Sequence, residues 1–150
     1  MPRIVREADV VWEGTVARGG GSITAATSGA FTELPYSLPS RIGAAEGKTS
    51  PEELLAAAHG GCFAMGLANE LASAGTPVDR LEVHCTVTMD EVEGRGHLVV
   101  DSTITARAFV PGADREGFAQ AVVAADEGCP FSTLIKASAT VTIDAQLQEA

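Results

Sequence analysis

Two cysteines far apart in the chain, Cys62 in TSPEELLAAAHGGCFAMGLANELASAG and Cys129 in DEGCPFSTLIKAS, each fall in a segment that reads as helix. Thiols placed in this way suggest a redox pair that passes between dithiol and disulfide, rather than two ordinary core residues. The chain holds three cysteines, which do not make an even disulfide framework. Any disulfide is therefore expected to be transient and catalytic rather than structural.

Gly128 reads as the stop of one helix and Pro130 as the first residue of the next, which puts Cys129 at a helix N-terminus. Unpaired N–H groups and the helix dipole there favour a thiolate, whereas Cys62, in mid-helix, gains nothing comparable from its own helix. On local electrostatics alone Cys129 is the nucleophile, unless a cation is delivered to Cys62 from elsewhere in the fold. Blander roles compete, because free cysteine is among the most buried residue types and Cys62 in isolation reads equally well as core. Cys85, on the inward face of a strand, is expected to be inert core. His59 lies three residues before Cys62 and permits a Cys–His hydrolase dyad in principle, but no orienting third group or nucleophile elbow accompanies it. A zinc site built from Cys62, Cys129 and His59 is weakly supported, since no CxxC or HxxxH spacing is present.

The elements that must position these residues are readable from pattern. Ser50 can cap the main helix, Pro51 suits its first position and Glu53 completes a capping box, while Glu52 favours the dipole of the first turn. Residues 54–68 carry no charge, and a helix apolar all round must be covered all round, by sheet, by other helices or by a second subunit. The adjacent Gly60 and Gly61 each cost roughly 1 kcal/mol relative to alanine, which suggests a close backbone approach there, read as a subunit interface at the cysteine. Leu81, Val83, Cys85, Val87 and Met89 alternate with polar residues, as in a half-buried strand. Gly94 and Gly96 turn the chain into a further strand at 97–109, a helix follows at about 114–127, and a last strand covers 140–147. Segments 9–13 and 22–27, joined through Gly19, Gly20 and Gly21, read as a hairpin. The order ββαββααβ indicates an α+β fold with antiparallel sheet. The Gly/Pro-rich stretch 28–49 reads as a long loop of the kind that is functional or wrapped over a partner, and it contains Arg41. Phe63, Met65, Phe131, Leu134 and Ile135 flank the two cysteines and could supply apolar walls for a substrate.

With 10 basic and 20 acidic residues the formal net charge is −10. A surface that acidic repels phosphate backbones and anionic lipids, which argues against nucleic acid and membrane as partners. The segment MPRIVREADVVWEG has no apolar run of the secretory kind, and the longest apolar stretch is too short to span a bilayer, so a cytoplasmic location is expected. A length of 150 residues is usual for one domain and buries roughly 70% of the surface that the unfolded chain would expose.

TSPEELLAAAHGGCFAM, the downstream VPG, and GCPFSTL with its preceding helix closely resemble the OsmC/Ohr family of peroxide-reducing proteins, the OsmC branch most of all. The resemblance runs from VWEG near Trp12 to the terminal strand. It implies a single OsmC-like peroxidase domain over 1–150, with antiparallel sheets wrapped around long central helices in an intertwined homodimer and two active sites at the interface. It also implies a thiol peroxidase that reduces organic hydroperoxides, and hydrogen peroxide less efficiently. The cysteine matching Cys62 attacks the peroxide and the one matching Cys129 resolves it, which reverses the choice made from the dipole, because in the family an arginine supplies the missing charge. Arg41, in PSRIGAAEGKTSPEE, matches the arginine of the OsmC branch. The Ohr branch places its arginine near the N-terminal hairpin, where this chain has Arg18. Glu52 matches the acidic partner, whose carboxylate orients the guanidinium by a bidentate contact. The family further implies a dithiol reductant of the lipoyl type, and the chemistry needs no metal, flavin or nicotinamide cofactor. The competing reading is a stress-associated binding or structural dimer without efficient turnover.

Overall fold

The glycine run after Arg18 lets the N-terminal segment turn back on itself, and strand β1 (Ala8–Glu13) pairs antiparallel with β2 (Gly20–Ala25). This is a computed structural model, and it describes residues 1–149. A third strand, β3 (Leu34–Tyr36), adds antiparallel to β2 to complete a three-stranded sheet. Gly21 is required in this sheet: a Cβ on it would lie 2.5 Å from the Val11 carbonyl oxygen and 2.6 Å from the Tyr36 ring. That space lets the Trp12 and Tyr36 rings approach to 5.4 Å between centroids, tilted by 60°. A one-turn helix, α1 (Leu38–Ile42), follows, capped by Ser37, whose hydroxyl oxygen accepts from the Ser40 backbone N–H at 3.2 Å. The stretch expected as an unbroken loop at 28–49 therefore contains a short strand and a short helix.

The chain divides into a first unit, residues 1–51, and a second that begins at Glu52. The second is built on the long helix α2 (Pro51–Ser73), with proline at its first position and Glu52 and Glu53 in its first turn. His59, Phe63, Leu67 and Leu71 recur every four residues and are buried, so one stripe of α2 faces the core. The opposite stripe, including Ala57, Gly61 and Met65, is exposed in the single chain, with Met65 77% exposed. Cover on all sides, expected from the uncharged sequence, is thus not supplied within one subunit.

The core that receives this stripe comes from β5 and α3. Strand β4 (Arg80–Val92) pairs antiparallel with β5 (Gly96–Phe109) from Arg80↔Phe109 to Val92↔Gly96, with a register shift between Thr88 and Met89. On β5, Ser102, Ile104, Ala106 and Ala108 alternate inward and are buried. The chain crosses through α3 (Arg115–Gly128) and α4 (Pro130–Lys136) to β6 (Thr140–Leu147), which lies parallel to β5 from Asp101↔Thr140 to Ala108↔Leu147. The sheet is therefore mixed where a wholly antiparallel one was expected. A crossover through two helices returns the chain to the end where β5 began, and that dictates a parallel pair. Phe63, Leu67 and Leu71 pack with Ile104, Ala106 and Ala108 of β5 and with Phe118, Ala121 and Ala125 of α3. Each large side chain so buried stabilises the unit by about 1.5–3 kcal/mol.

Candidate active site

Cys129 occupies the corner between α3 and α4, closing the first as C-cap and opening the second as N-cap. Its backbone N–H donates to the Asp126 carbonyl at 3.2 Å, and its sulfur accepts the Ser132 backbone N–H at 3.5 Å. The side chain is buried. Cys62 sits on α2 beside the buried stripe and is half-buried. Although they are 67 positions apart (129 minus 62), the two thiols are near enough that Cys129, like the Phe131 backbone, acts on the titration of Cys62. Burial is the first influence on the Cys62 thiol and pushes its pKa up. The neighbouring Cys129 pushes the same way, and only the Phe131 backbone acts to lower it. Cys62 and Cys129 are the two cysteines singled out from sequence, and the second unit brings them together.

One turn before Cys62, His59 is wholly buried and bonded at both ring nitrogens. Its Nδ1 lies 2.6 Å from Ser102 Oγ on β5, and its Nε2 lies 2.8 Å from Ser132 Oγ on α4. Both serines are themselves fully buried. Desolvation is the largest influence on His59 and lowers its pKa, the Asp126 carboxylate pulls it back up, and Lys136 lowers it again. The ring is accordingly neutral, with one nitrogen donating and the other accepting. His59 is thus a bridge between strand and helix, with no place in a hydrolytic dyad. Ser102 and Ser132 escaped the sequence reading. The signal for Ser102 was a hydroxyl at an inward position of an otherwise apolar alternation, Ile104, Ala106, Ala108.

Cys85 faces the same region from β4: its sulfur lies 3.4 Å from Ser102 Oγ and 3.9 Å from His59 Nδ1. A Cβ on Gly60 would lie 3.3 Å from the Cys85 Cβ, so Gly60 admits the sheet at this level, while a Cβ on Gly61 would meet nothing within 4 Å. The close approach expected at the glycine pair is, for Gly60, one within the subunit. Among the apolar residues flanking the cysteines, Phe63 and Ile135 are buried in the interior and cannot wall a substrate site. Phe131 is half-buried, and Met65 and Leu134 are exposed. Glu52 is half-buried in the first turn of α2 and Glu53 is exposed. In the first unit, Arg41 is an exposed residue in the last turn of α1, its backbone N–H donating to the Ser37 carbonyl at 3.1 Å. Arg18 is exposed in the turn after β1, its backbone N–H donating to Thr15 Oγ1 at 3.3 Å. Among the described residues no group of three His, Cys, Asp or Glu is placed to hold a metal ion. No described helix is long and apolar enough to cross a membrane.

Comparison with known proteins adds to this geometry. A model of the family described as OsmC-like protein matches residues 43–144. The chain is 34% identical to the peroxiredoxin OsmC of Escherichia coli (strain K12) over 137 residues, 91% of this chain and 92% of that protein. It is 29% identical to the organic hydroperoxide resistance protein of Xanthomonas axonopodis pv. citri (strain 306) over 130 residues, 85% of this chain and 88% of that protein. Among solved structures, the organic hydroperoxide resistance protein OhrB of Bacillus subtilis is 26% identical and superposes with a TM-score of 0.69, covering 93% of this chain and 98% of its own. An OsmC-like protein of Mycoplasma pneumoniae shares the fold alone, with a TM-score of 0.76 at 8% identity over 97% of this chain and 99% of that one.

Proposed function

The chain belongs to the OsmC-like family, and from that membership together with the paired thiols we propose that it is a cysteine-based peroxidase that reduces organic hydroperoxides to alcohols. The observation that carries this reading most is the proximity of Cys62 and Cys129, residues that no local pattern would bring together, close enough for Cys129 to act on the Cys62 thiol. The Cys62 thiolate attacks the distal oxygen of the peroxide, the O–O bond breaks, the alcohol leaves, and Cys62 is left as a sulfenic acid. Cys129 then displaces water from that sulfur to form the Cys62–Cys129 disulfide, and a dithiol reductant, of lipoyl type in the family, reopens it by exchange.

The nucleophile needs help, since burial and Cys129 both hold the Cys62 proton on. A guanidinium would answer that need, and the role is assigned to Arg41, oriented by the Glu52 carboxylate. The working form is a homodimer. Support for it comes from the exposed stripe of α2, where Ala57, Gly61 and Met65 offer an apolar face without a charge. Within this dimer residues 1–150 act as one peroxidase domain.

The alternative, a binding or structural dimer without turnover, is separated by one experiment. Purified protein with a dithiol and cumene hydroperoxide consumes peroxide catalytically if the proposal holds. Consumption of no more than one equivalent per subunit contradicts it.

A further inference from the structure

His59 and Cys62 are one turn apart on α2, and Cys129 and Ser132 are one turn apart at the start of α4. The two pairs face each other rung for rung. Cys129 is near enough to Cys62 to act on its thiol, and His59 Nε2 meets Ser132 Oγ at 2.8 Å. The second rung is anchored from behind, because the other ring nitrogen lies 2.6 Å from Ser102 Oγ on the central strand of the sheet. His59, Ser102 and Ser132 are all fully buried, so neither bond is exchanged for one to water. Ser132 also joins the rungs along α4, since its backbone N–H donates to the Cys129 sulfur at 3.5 Å while its hydroxyl reaches the imidazole.

We infer that the Ser102–His59–Ser132 bridge is a positioning device for the disulfide-forming step, locking α4 in the register that presents Cys129 to Cys62. The inference rests on the peroxidase reading for its place in a reaction but concerns these residues alone. A disulfide demands a sulfur–sulfur distance of about 2.05 Å and a narrow range of dihedral angle. A seven-residue helix has few contacts of its own to hold it to such tolerances. In the step concerned, the Cys129 sulfur, having lost its proton, attacks the sulfenic sulfur of Cys62. The new S–S bond forms as the S–O bond breaks, and the departing hydroxide takes up the proton released by Cys129 to become water. Both electrons of the S–O bond leave with the oxygen, so the Cys129 sulfur is oxidised and that of Cys62 reduced. His59 and Ser132 exchange no electron or proton with the reacting atoms, and act by shortening the search for the geometry of attack. A sulfenic acid that waits longer is open to a second peroxide and to oxidation to sulfinic acid.

The imidazole can be dissected by its two amide mimics, because the asparagine amide reaches the position of Nδ1 and the glutamine amide that of Nε2. His59→Gln should keep the Ser132 bond and lose Ser102, whereas His59→Asn should do the reverse. Ser132→Ala removes one oxygen atom and keeps the backbone N–H to Cys129, so it carries the comparison should a histidine variant not fold. The first measurement is the equilibrium of the Cys62–Cys129 pair with oxidised and reduced dithiothreitol, which needs no peroxide. The expected result is a disulfide formed tenfold or more less readily in Ser132→Ala and His59→Asn than in wild type, and a smaller loss in His59→Gln, which keeps the Ser132 rung but gives up its anchor on Ser102. The second is one equivalent of cumene hydroperoxide with a 1,3-dione trap and mass analysis. The two impaired variants should form the Cys62 sulfenic acid at the wild-type rate, then accumulate trapped sulfenic and sulfinic acid. Equal dithiothreitol equilibria in wild type and Ser132→Ala, or a sulfenic step slowed as much as condensation, overturns the inference. A wild type that forms the disulfide in dithiothreitol but no sulfenic acid with peroxide overturns the peroxidase reading and leaves the positioning device standing.

Discussion

Glu52 and Cys62 lie ten positions apart on one 23-residue helix, which at 1.5 Å per residue separates them by roughly 15 Å along the axis. A carboxylate side chain does not bridge that distance, so Glu52 is poorly placed to serve the cysteine of its own chain. Two such helices packed antiparallel about a two-fold axis near Ala57 bring Glu52 of one subunit level with Cys62 of the other, and the exposed Ala57, Gly61 and Met65 stripe is where they would touch. Each active site is then made by both chains. A mixed dimer of one Cys62→Ser chain and one Glu52→Ala chain tests this, since it holds one site damaged twice and one intact. Purified through two different tags, it should retain about half of wild-type peroxidase activity, and an unsorted equimolar mixture, in which half of the dimers are mixed, roughly a quarter. Each homodimeric variant must be impaired alone, as measured in the same assay. Sites confined to single chains would leave both subunits of the mixed dimer damaged, so activity at the level of the two parents would refute the shared site.

Arg41→Ala should raise the Cys62 pKa further and slow sulfenic acid formation far more than Arg18→Ala does, which thiolate absorbance against pH would report; the larger effect at Arg18 would mean that the Ohr arrangement operates instead. Organic hydroperoxides should be preferred over hydrogen peroxide by tenfold or more in kcat/KM, since burying a few methylenes against Met65, Phe131 and Leu134 is worth about 0.8 kcal/mol each; equal values for cumene hydroperoxide and hydrogen peroxide would remove that pocket. Below pH ~6.5 the unfolded chain takes up a proton at His59 that the buried, neutral ring refuses, so the unfolded state binds more protons and stability falls as pH drops through that value. The denaturant midpoint should therefore fall more between pH 7.5 and 5.5 in wild type than in His59→Gln, and identical slopes would show that His59 does not contribute.

The parts legible in the sequence were those whose signals are local. Pro51 and the two acidic residues after it mark the start of α2, the alternation from Leu81 to Met89 marks β4, and Gly128 and Pro130 bracket the corner at Cys129. Strand β3 was hidden because it is three residues long with a proline at its centre, and α1 because it makes barely more than one turn inside a Gly/Pro-rich stretch. The parallel pairing of β6 is set by the length of the crossover and not by the strand itself, whose alternation reads the same in either direction. The same division holds at the site. Each cysteine carries a motif around it, whereas the bridge that holds His59 joins residues 43 and 73 positions away, and a serine gives no sign of a partner so distant. Gly60 shows what a local inference leaves open: the glycine admits the Cys85 side chain of its own chain, while a Cβ on Gly61 would meet nothing within 4 Å.

The central claim is that Cys62 takes the oxygen and Cys129 resolves it, and peptide mass analysis after one equivalent of cumene hydroperoxide tests it most directly. Wild type should yield a single Cys62–Cys129 disulfide, Cys129→Ser a sulfenic acid at Cys62 and no further turnover, and Cys62→Ser no oxidation at either position. A Cys62–Cys85 disulfide in wild type, or undiminished turnover by Cys129→Ser, would contradict the account.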